Sequence, residues 1–288
     1  REFNYKNAVS GITLITYGFF KKIVIADRLA IYVNSIFSDI DNANTISLII
    51  GIIFFSFQIY ADFSGYSLIA RGISKLLGFD LMVNFNKPYL ASNIAEFWRR
   101  WHISLSTWFR DYVYIPLGGN RVSRTRNYTN LMIVFIVSGL WHGANWTFVI
   151  WGALHGFFQI LYLSYTKLRP PKKQISKFKN GANVLIVFAM VTFAWIFFRA
   201  NNFQEAILYI SKIMQFNFSL NLTQISAEKG PLNLVLSFFA IVLLFISYLL
   251  PQNLNFKKTS YSLMFNIVTI LIIILIGVNG KAEFIYFQ

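Results

Sequence analysis

The sequence contains no cysteine and few charged residues. The lack of cysteine in 288 residues excludes disulfide bonds, cysteine metal ligands and a thioester intermediate on the protein itself. Charged residues make up 13% of the chain, against about 25% in a soluble domain. Hydrophobic residues make up 56%, and the mean hydropathy is +0.53. These values predict a multi-span membrane protein and exclude a water-soluble globule.

Acidic residues are especially scarce, with 11 acids against 26 lysines and arginines and a net charge of +15. In a soluble protein, such an excess would suggest nucleic-acid binding. Here the basic residues lie between apolar segments, which is typical of the cytoplasmic loops of membrane proteins. We therefore expect no nucleic-acid partner.

Common catalytic and metal-binding motifs are also missing. The sequence has no HExxH, no GxxxxGK phosphate loop and no GxSxG elbow, and its three histidines are His102, His142 and His155. A metal site would need ligands from distant segments, so we expect none. Arg1 is not an initiator methionine and no signal peptide follows it, so we expect the sequence to begin within a longer protein.

Seven apolar segments approach the roughly 20 residues that a membrane span requires. They are Val9–Phe37, Ile46–Ala70, Tyr128–Trp141, Trp146–Tyr165, Ala182–Ala200, Leu232–Leu250 and Tyr261–Val278. The first contains four charged residues, so part of it is expected at the membrane interface; these are Lys21, Lys22, Asp27 and Arg28. The sequence thus predicts an all-α polytopic bundle.

The charges of the connections predict one orientation. The cytoplasmic side receives the basic loops Lys167–Lys179 and Lys257–Lys258 and the more isolated cations Arg71, Lys75, Arg121, Arg124 and Arg126. The acidic connection at Asp39 and Asp41 then falls outside, as does the amphipathic stretch Phe203–Phe216.

A segment rich in tryptophan, tyrosine and arginine separates the second and third apolar segments. Its spacing predicts a helix over Glu96–Tyr112 that begins at Ser92 or Asn93 and lies in the interface or within the bundle. One face would carry Trp98, His102, Leu105, Phe109 and Tyr112, and Glu96 would pair with Arg100. A turn at Pro116, Gly118 and Gly119 would end this helix.

The strongest candidate for chemistry is His142. The apolar stretch Leu131–Trp141 is too short to span, and His142 and Asn145 interrupt it before the apolar sequence resumes. Polar side chains at that depth usually face a cavity or a partner. Burial would keep His142 neutral and able to accept a hydroxyl proton in an acyl transfer. Alternatively, His142 bridges two helices through hydrogen bonds.

Other polar residues also have two interpretations. Ser138 lies one turn before His142 and is either a nucleophile or a serine bonded back to its own helix. His102 either orients a substrate or bonds a carbonyl, whereas His155 shares a face with Trp151 and Gln159 that favours packing. Asp62 lies inside an apolar segment, either as a functional acid or tied to a base of the Arg99–Arg110 helix.

Several motifs resemble those of the membrane-bound O-acyltransferase family. The matching runs occur in the family's order and are densest over residues 60–159, with weaker likeness at Phe284–Gln288; they are Tyr60–Ser67, Asn84–Tyr89, Phe97–Ser106, Tyr114–Arg121 and Leu140–Trp146. The resemblance is to the bacterial branch that acetylates alginate and transfers D-alanine to teichoic acid. It implies one membrane-embedded domain over residues 1–288, with residues 60–159 as its catalytic core and some amino-terminal spans missing.

The resemblance also implies a function and a site. His142 would be the essential catalytic histidine and His102 a second histidine lining a central funnel or tunnel. Substrates would contact Trp98, Trp101, Asn145, Trp146, Asp62 and Ser138. The donor would be acetyl-CoA or another acyl thioester, from CoA or a carrier protein, with no bound cofactor.

Family members pass the acyl group outward across the bacterial inner membrane, commonly to an extracytoplasmic acyltransferase that modifies a polysaccharide. The alternative class is a non-catalytic transport or scaffold subunit of a polysaccharide complex, since transporters also place broken helices and polar residues at mid-membrane.

Overall fold

The computed structural model describes residues 4–168, 176–218, 230–250, 254 and 259–278. Within these residues the regular elements are all helical, which confirms the predicted all-α class. The chain divides into two compact units, one formed by residues 1–82 and 212–288 and the other by residues 83–211.

The first unit is built on two long helices. Its opening helix is continuous from Tyr5 to Ser38 and comprises α1 (Tyr5–Phe19), a π-helical segment (Phe20–Ala26) and α2 (Asp27–Ser38). The second long helix is α3 (Thr45–Leu76). The carboxyl-terminal part of the chain adds α10 (Gly230–Ser247) and α11 (Thr259–Ile276).

Glycines allow α1 and α3 to pack closely. A Cβ atom on Gly65 would lie 2.8 Å from the carbonyl oxygen of Gly18, and one on Gly18 would lie 2.7 Å from the carbonyl oxygen of Gly65. Small residues at a helix crossing let the two backbones approach, as is common between membrane helices. The close approach brings the charged residues of the π-helical segment against α3.

Those charged residues are buried inside the first unit rather than placed on its surface. Lys22 Nζ lies 2.7 Å from Asp62 Oδ1 and 3.0 Å from Asp27 Oδ1. Lys21 Nζ donates to Ser64 Oγ at 3.1 Å, and Arg28 donates to Asn233 Oδ1 at 3.0 Å. Buried charges are tolerated when they are paired in this way, so the apolar first segment accommodates them within one uninterrupted helix.

The second unit contains the shorter helices and the central hairpin. It begins with a 3-10 turn (Pro88–Leu90), followed by α4 (Ile94–Arg100), α5 (Ile103–Phe109) and a π-helical segment (Arg110–Tyr114). These are followed by α6 (Arg124–His142), α7 (Trp146–Leu168), α8 (Lys177–Arg199) and the start of α9 (Phe203–Met214). Helices α6 and α7 cross where a Cβ atom on Gly139 would overlap the Phe148 carbonyl.

Five described helices are long and apolar enough to cross a membrane: Tyr5–Ser38, Thr45–Leu76, Trp146–Leu168, Lys177–Arg199 and Thr259–Ile276. This confirms a polytopic membrane protein. Two predicted segments fall outside this set, because α6 is less apolar than these five helices and the apolar stretch Leu232–Ser247 is shorter than a span. The loop at Lys257–Lys258, the residues 169–175 of the other basic loop and the segment Phe284–Gln288 lie outside the described residues.

The prediction of one helix over Glu96–Tyr112 is wrong. The helix ends at Arg100 and a new one begins at Ile103, because His102 adopts a left-handed conformation with φ of 42°. Backbone and side-chain oxygens of Asn84 accept from the N–H groups of Ile103 at 3.0 Å and Ser104 at 3.1 Å. A segment distant in sequence thus caps α5, and the predicted single aromatic face is divided.

The ends of this region follow the sequence more closely. Asn93 caps α4 by accepting from the Glu96 N–H at 2.8 Å. Glu96 pairs with Arg100 at 2.5 Å, as predicted from their spacing. After Tyr114 the chain turns through Gly118 and Gly119, both at positive φ, which confirms the predicted stop.

Candidate active site

His142 is the last residue of α6 and precedes a three-residue connection to α7. Its ring lies among aromatic side chains: Trp151 and Phe198 meet it edge to face, with centroid distances of 5.2 and 5.1 Å. The ring of Trp141 is 5.0 Å away. The residue as a whole is half-buried, and these aromatic side chains pack around its imidazole.

The surroundings of His142 favour the neutral imidazole. The residue lies outside the five candidate spans, and burial lowers its pKa from 6.5 to about 4. An apolar environment disfavours the charged form of a histidine. Near neutral pH the ring therefore has a nitrogen lone pair, which a general base requires.

His102 lies close enough to His142 for their charges to interact. Burial, with a smaller contribution from His142, lowers the pKa of His102 to about 3. The His102 ring is 6.3 Å from the ring of Trp141, the residue next to His142. The break between α4 and α5 therefore brings two neutral histidines into one neighbourhood.

A cavity of about 650 Å³ opens beside these residues in the second unit. Its walls combine aliphatic side chains of α6 and α7 with hydroxyl, amide and guanidinium groups; these include Leu131, Val134, Leu163, Ser106, Thr107, Asn120, Asn127, Gln159, Arg99 and Arg110. Ligand pockets commonly combine apolar walls with a few polar groups in this way. His142 is not part of the wall.

Two predicted substrate-binding residues, Ser138 and Trp98, line this cavity. Ser138 lies one turn before His142 on α6, and its hydroxyl makes no hydrogen bond within the described part of the chain. The alternative hydrogen bond from Ser138 back to its own helix is therefore not formed. Trp98 packs against Phe135 and His155, with centroid distances of 5.2 and 4.9 Å.

Asn145 and Trp146 follow His142 in the connection to α7. Asn145 uses both ends of its amide within the protein: Oδ1 accepts from the Thr147 N–H at 3.1 Å, and Nδ2 donates to the Asn201 carbonyl at 2.8 Å. Trp146 is 74% exposed. Their contacts with substrate remain predictions.

Trp101 and His155 lie in the core of the second unit. Trp101 is 2% exposed and stacks on Phe97 at 5.5 Å, which favours a packing role over the predicted contact with substrate. His155 is fully buried against Trp98 and Trp151. Neither of its ring nitrogens has a hydrogen-bond partner among the described residues, which agrees with the packing role that the sequence favours.

Asp62 belongs to the first unit, where it is 1% exposed and pairs with Lys22. The sequence allows a tie between Asp62 and a base of the Arg99–Arg110 helix, but the ion pair joins Asp62 to Lys22 of the first apolar segment instead. The reason is the close packing of α1 on α3. Among the described residues, no group of three or more His, Cys, Asp or Glu side chains is arranged to hold a metal ion.

Sequence reasoning missed the residues that shape this site from a distance. Asn84 caps the helix that follows His102, and Asn201 holds Asn145. Asn84 begins one of the runs that carry the family resemblance, but the pattern of residues alone does not identify its partner. Asn201 follows an apolar helix and lies in an ordinary turn sequence, so no local signal marks it.

These features define a class: a polytopic helical membrane protein with two neighbouring neutral histidines beside an amphiphilic cavity. Residues 2–201 match the model of the MBOAT, membrane-bound O-acyltransferase family. The chain belongs to this family, and the resemblance seen in its motifs is confirmed.

Curated relatives support the same branch. The chain is 40% identical over 227 residues to the peptidoglycan O-acetyltransferase of Helicobacter pylori, covering 79% of this chain and 42% of the relative. It is 44% identical over 196 residues to the probable alginate O-acetylase AlgI of Pseudomonas aeruginosa, covering 68% and 36%. It is 28% identical over 207 residues to the teichoic acid D-alanyltransferase of Bacillus subtilis, covering 68% and 52%. The chain thus spans about two fifths of the first two relatives.

Proposed function

We propose that this protein is an acyltransferase that takes an acyl group, acetyl in the first instance, from a thioester and transfers it to a hydroxyl group. The acyl group is destined for an exported or cell-wall polysaccharide. The observation that carries the proposal is the neutral imidazole of the half-buried residue His142 in a chain of the membrane-bound O-acyltransferase family. Relatives named for O-acetylation of peptidoglycan and alginate support the acetyl group and the polymer.

In this proposal His142 is the general base. It removes the proton of the acceptor hydroxyl as the oxygen attacks the thioester carbonyl. The carbon–sulfur bond breaks, the thiolate takes the proton from His142, and the products are an ester and a free thiol. Atoms and charge balance without a metal or redox cofactor, and the imidazole ends the cycle neutral.

The cavity supports a site for the thioester arm. Its aliphatic walls suit a flexible chain, and its amide and hydroxyl groups provide polar contacts along that chain. Ser138 and Trp98 in its wall would contact the donor. His102 would orient the reacting groups, since it is close enough to His142 for their charges to interact. Holding two reactants in a water-poor site accounts for much of the rate in such enzymes.

We also place the protein in the bacterial inner membrane, with the donor in the cytoplasm. The cations Arg121, Arg124 and Arg126 at the start of α6 support a cytoplasmic position for that end. The acyl group would leave on the opposite side, to an extracytoplasmic acyltransferase that completes transfer to the polysaccharide. Only the family resemblance supports this partner.

The proposal is tested with purified full-length protein in liposomes. Radiolabelled acetyl-CoA, or an acetylated carrier protein, is supplied on one side of the membrane and a glycan acceptor on the other, and labelled ester is counted. We expect label transfer by the wild type, its loss in His142→Gln and a smaller loss in His102→Gln. His155→Phe is the matched control, because it alters a buried histidine that has no assigned chemical role.

Two results would reject the proposal. Equal transfer by His142→Gln and the wild type would remove the base. Absence of ester formation with every donor, together with translocation of unmodified glycan, would favour a transport or scaffold subunit instead.

A further inference from the structure

The connection that carries His142 is short, and it is fastened at its far end by one side chain. Between α6 and α7 lie only Gly143, Ala144 and Asn145. Asn145 Oδ1 caps the start of α7 by accepting from the Thr147 N–H, and Asn145 Nδ2 donates to the Asn201 carbonyl at 2.8 Å. A tether at this point limits how far the preceding histidine can move.

Asn201 is itself held by the carboxylate of Glu205. Glu205 Oε2 accepts from the Asn201 backbone N–H at 3.0 Å and from its side-chain Nδ2 at 2.9 Å. The Glu205 N–H donates to Asn202 Oδ1 at 2.9 Å, which fixes the carboxylate at the first turn of α9. A chain of hydrogen bonds thus runs from the Glu205 carboxylate to Asn201, and from the Asn201 backbone carbonyl to the Asn145 amide.

The same end of α8 also contacts the His142 ring. Phe198, three residues before Asn201, meets the ring edge to face at 5.1 Å, and it packs on Phe148 of α7 at 5.1 Å. The connection is therefore held at two points, by an aromatic contact on the imidazole and by the polar tether on Asn145.

We infer that Glu205 is a positioning residue for acyl transfer, acting through Asn201 and Asn145 to hold His142 in its reactive position. This inference rests on the proposed function of His142, because its effect on rate requires that histidine to be the base. The geometric part stands independently: loss of the tether releases the connection that carries the imidazole. Misplacement of a reacting group by about 1 Å lowers rates by about 100-fold.

Two variants remove the tether at its two ends. Asn145→Ser keeps a side chain that is able to cap α7 but is too short to reach Asn201, and Glu205→Ala removes the acceptor of both Asn201 bonds. We expect kcat for acyl transfer to fall about 10- to 100-fold, while KM for the thioester and the thermal midpoint change little. Glu205→Gln keeps an acceptor oxygen and is expected to restore most of kcat. Gln204→Ala, at an exposed neighbouring position, is the matched control.

A second measurement does not depend on activity. The rate at which diethyl pyrocarbonate modifies His142 is followed by mass spectrometry in the full-length protein. We expect Asn145→Ser and Glu205→Ala to be modified several-fold faster than the wild type, and Glu205→Gln and Gln204→Ala to match the wild type.

The outcomes separate this inference from the proposed function. Wild-type kcat and wild-type modification rates in both tether variants would overturn the inference, even if His142→Gln is inactive. Faster modification with no transfer by any variant or the wild type would support the tether and reject the acyltransferase. If kcat and the thermal midpoint both fall in Glu205→Ala, and Glu205→Gln restores neither, Glu205 acts in folding alone and the inference is overturned.

Discussion

Replacement of Lys22 by methionine tests whether the first unit depends on its buried charges. The ammonium of Lys22 lies between two carboxylates, 2.7 Å from Asp62 and 3.0 Å from Asp27. Lys22→Met keeps the length and apolar stem of the side chain but leaves both acids buried without this cation. Removing one partner of a buried ion pair costs about 3–5 kcal/mol, and we expect a loss at the upper end of that range because two acids lose this cation.

The geometry also ranks related variants. Asp62→Asn leaves Lys22 paired with Asp27, so its loss should be smaller, about 1–3 kcal/mol. Lys22→Met combined with Asn at both acidic positions removes every stranded charge and should recover most of the stability. The free energy of unfolding would be measured by SDS titration in mixed micelles, with Lys6→Met at an exposed position as control. A Lys22→Met protein as stable as Lys6→Met would refute the account of this cluster.

Three further predictions concern the second unit. Gly139→Val should destabilise the α6–α7 hairpin, because its Cβ would overlap a backbone carbonyl. Gly181→Ala should be neutral or stabilising, because no atom of the described residues lies within 4 Å of the added Cβ. Equal thermal midpoints for the two variants would contradict this. His155→Phe removes two buried nitrogens that have no hydrogen-bond partner among the described residues, and it should raise the thermal midpoint; a lower midpoint would contradict this. The transfer rate should stay level from roughly pH 8 to about pH 5 and fall as the pH drops through the His142 pKa of about 4. The reason is that only the neutral ring accepts a proton. A fall centred at roughly pH 6.5 would contradict the burial of the ring.

Apolar length was sufficient to predict most of the fold. Each long helix coincides with a predicted segment, since about 20 apolar residues have few alternatives to a helix in a membrane. The buried state of Lys21 and Lys22 was not predictable from their own segment, because it depends on Asp62 and Ser64 some 40 residues away in sequence. Sequence patterns show that charges in an apolar segment are unfavourable, but they do not identify the residues that pair with them.

The sequence indicates His142 as the candidate base but does not indicate the residues that hold it in place. His142 was indicated by the interruption of an apolar segment, and the structure places it at the end of a helix in an aromatic wall. The spacing of Trp98, His102 and Leu105 predicts an unbroken helix through His102. The break comes from capping by Asn84, a tertiary interaction that helical periodicity does not contain.

The account depends on the His142 imidazole acting as the proton acceptor, and rescue by free imidazole tests this most directly. His142→Ala in liposomes is assayed for labelled acetyl transfer with increasing imidazole. The account predicts no transfer above background without imidazole and a dose-dependent return of activity with it. Full transfer by His142→Ala in the absence of imidazole would contradict the central role of this residue.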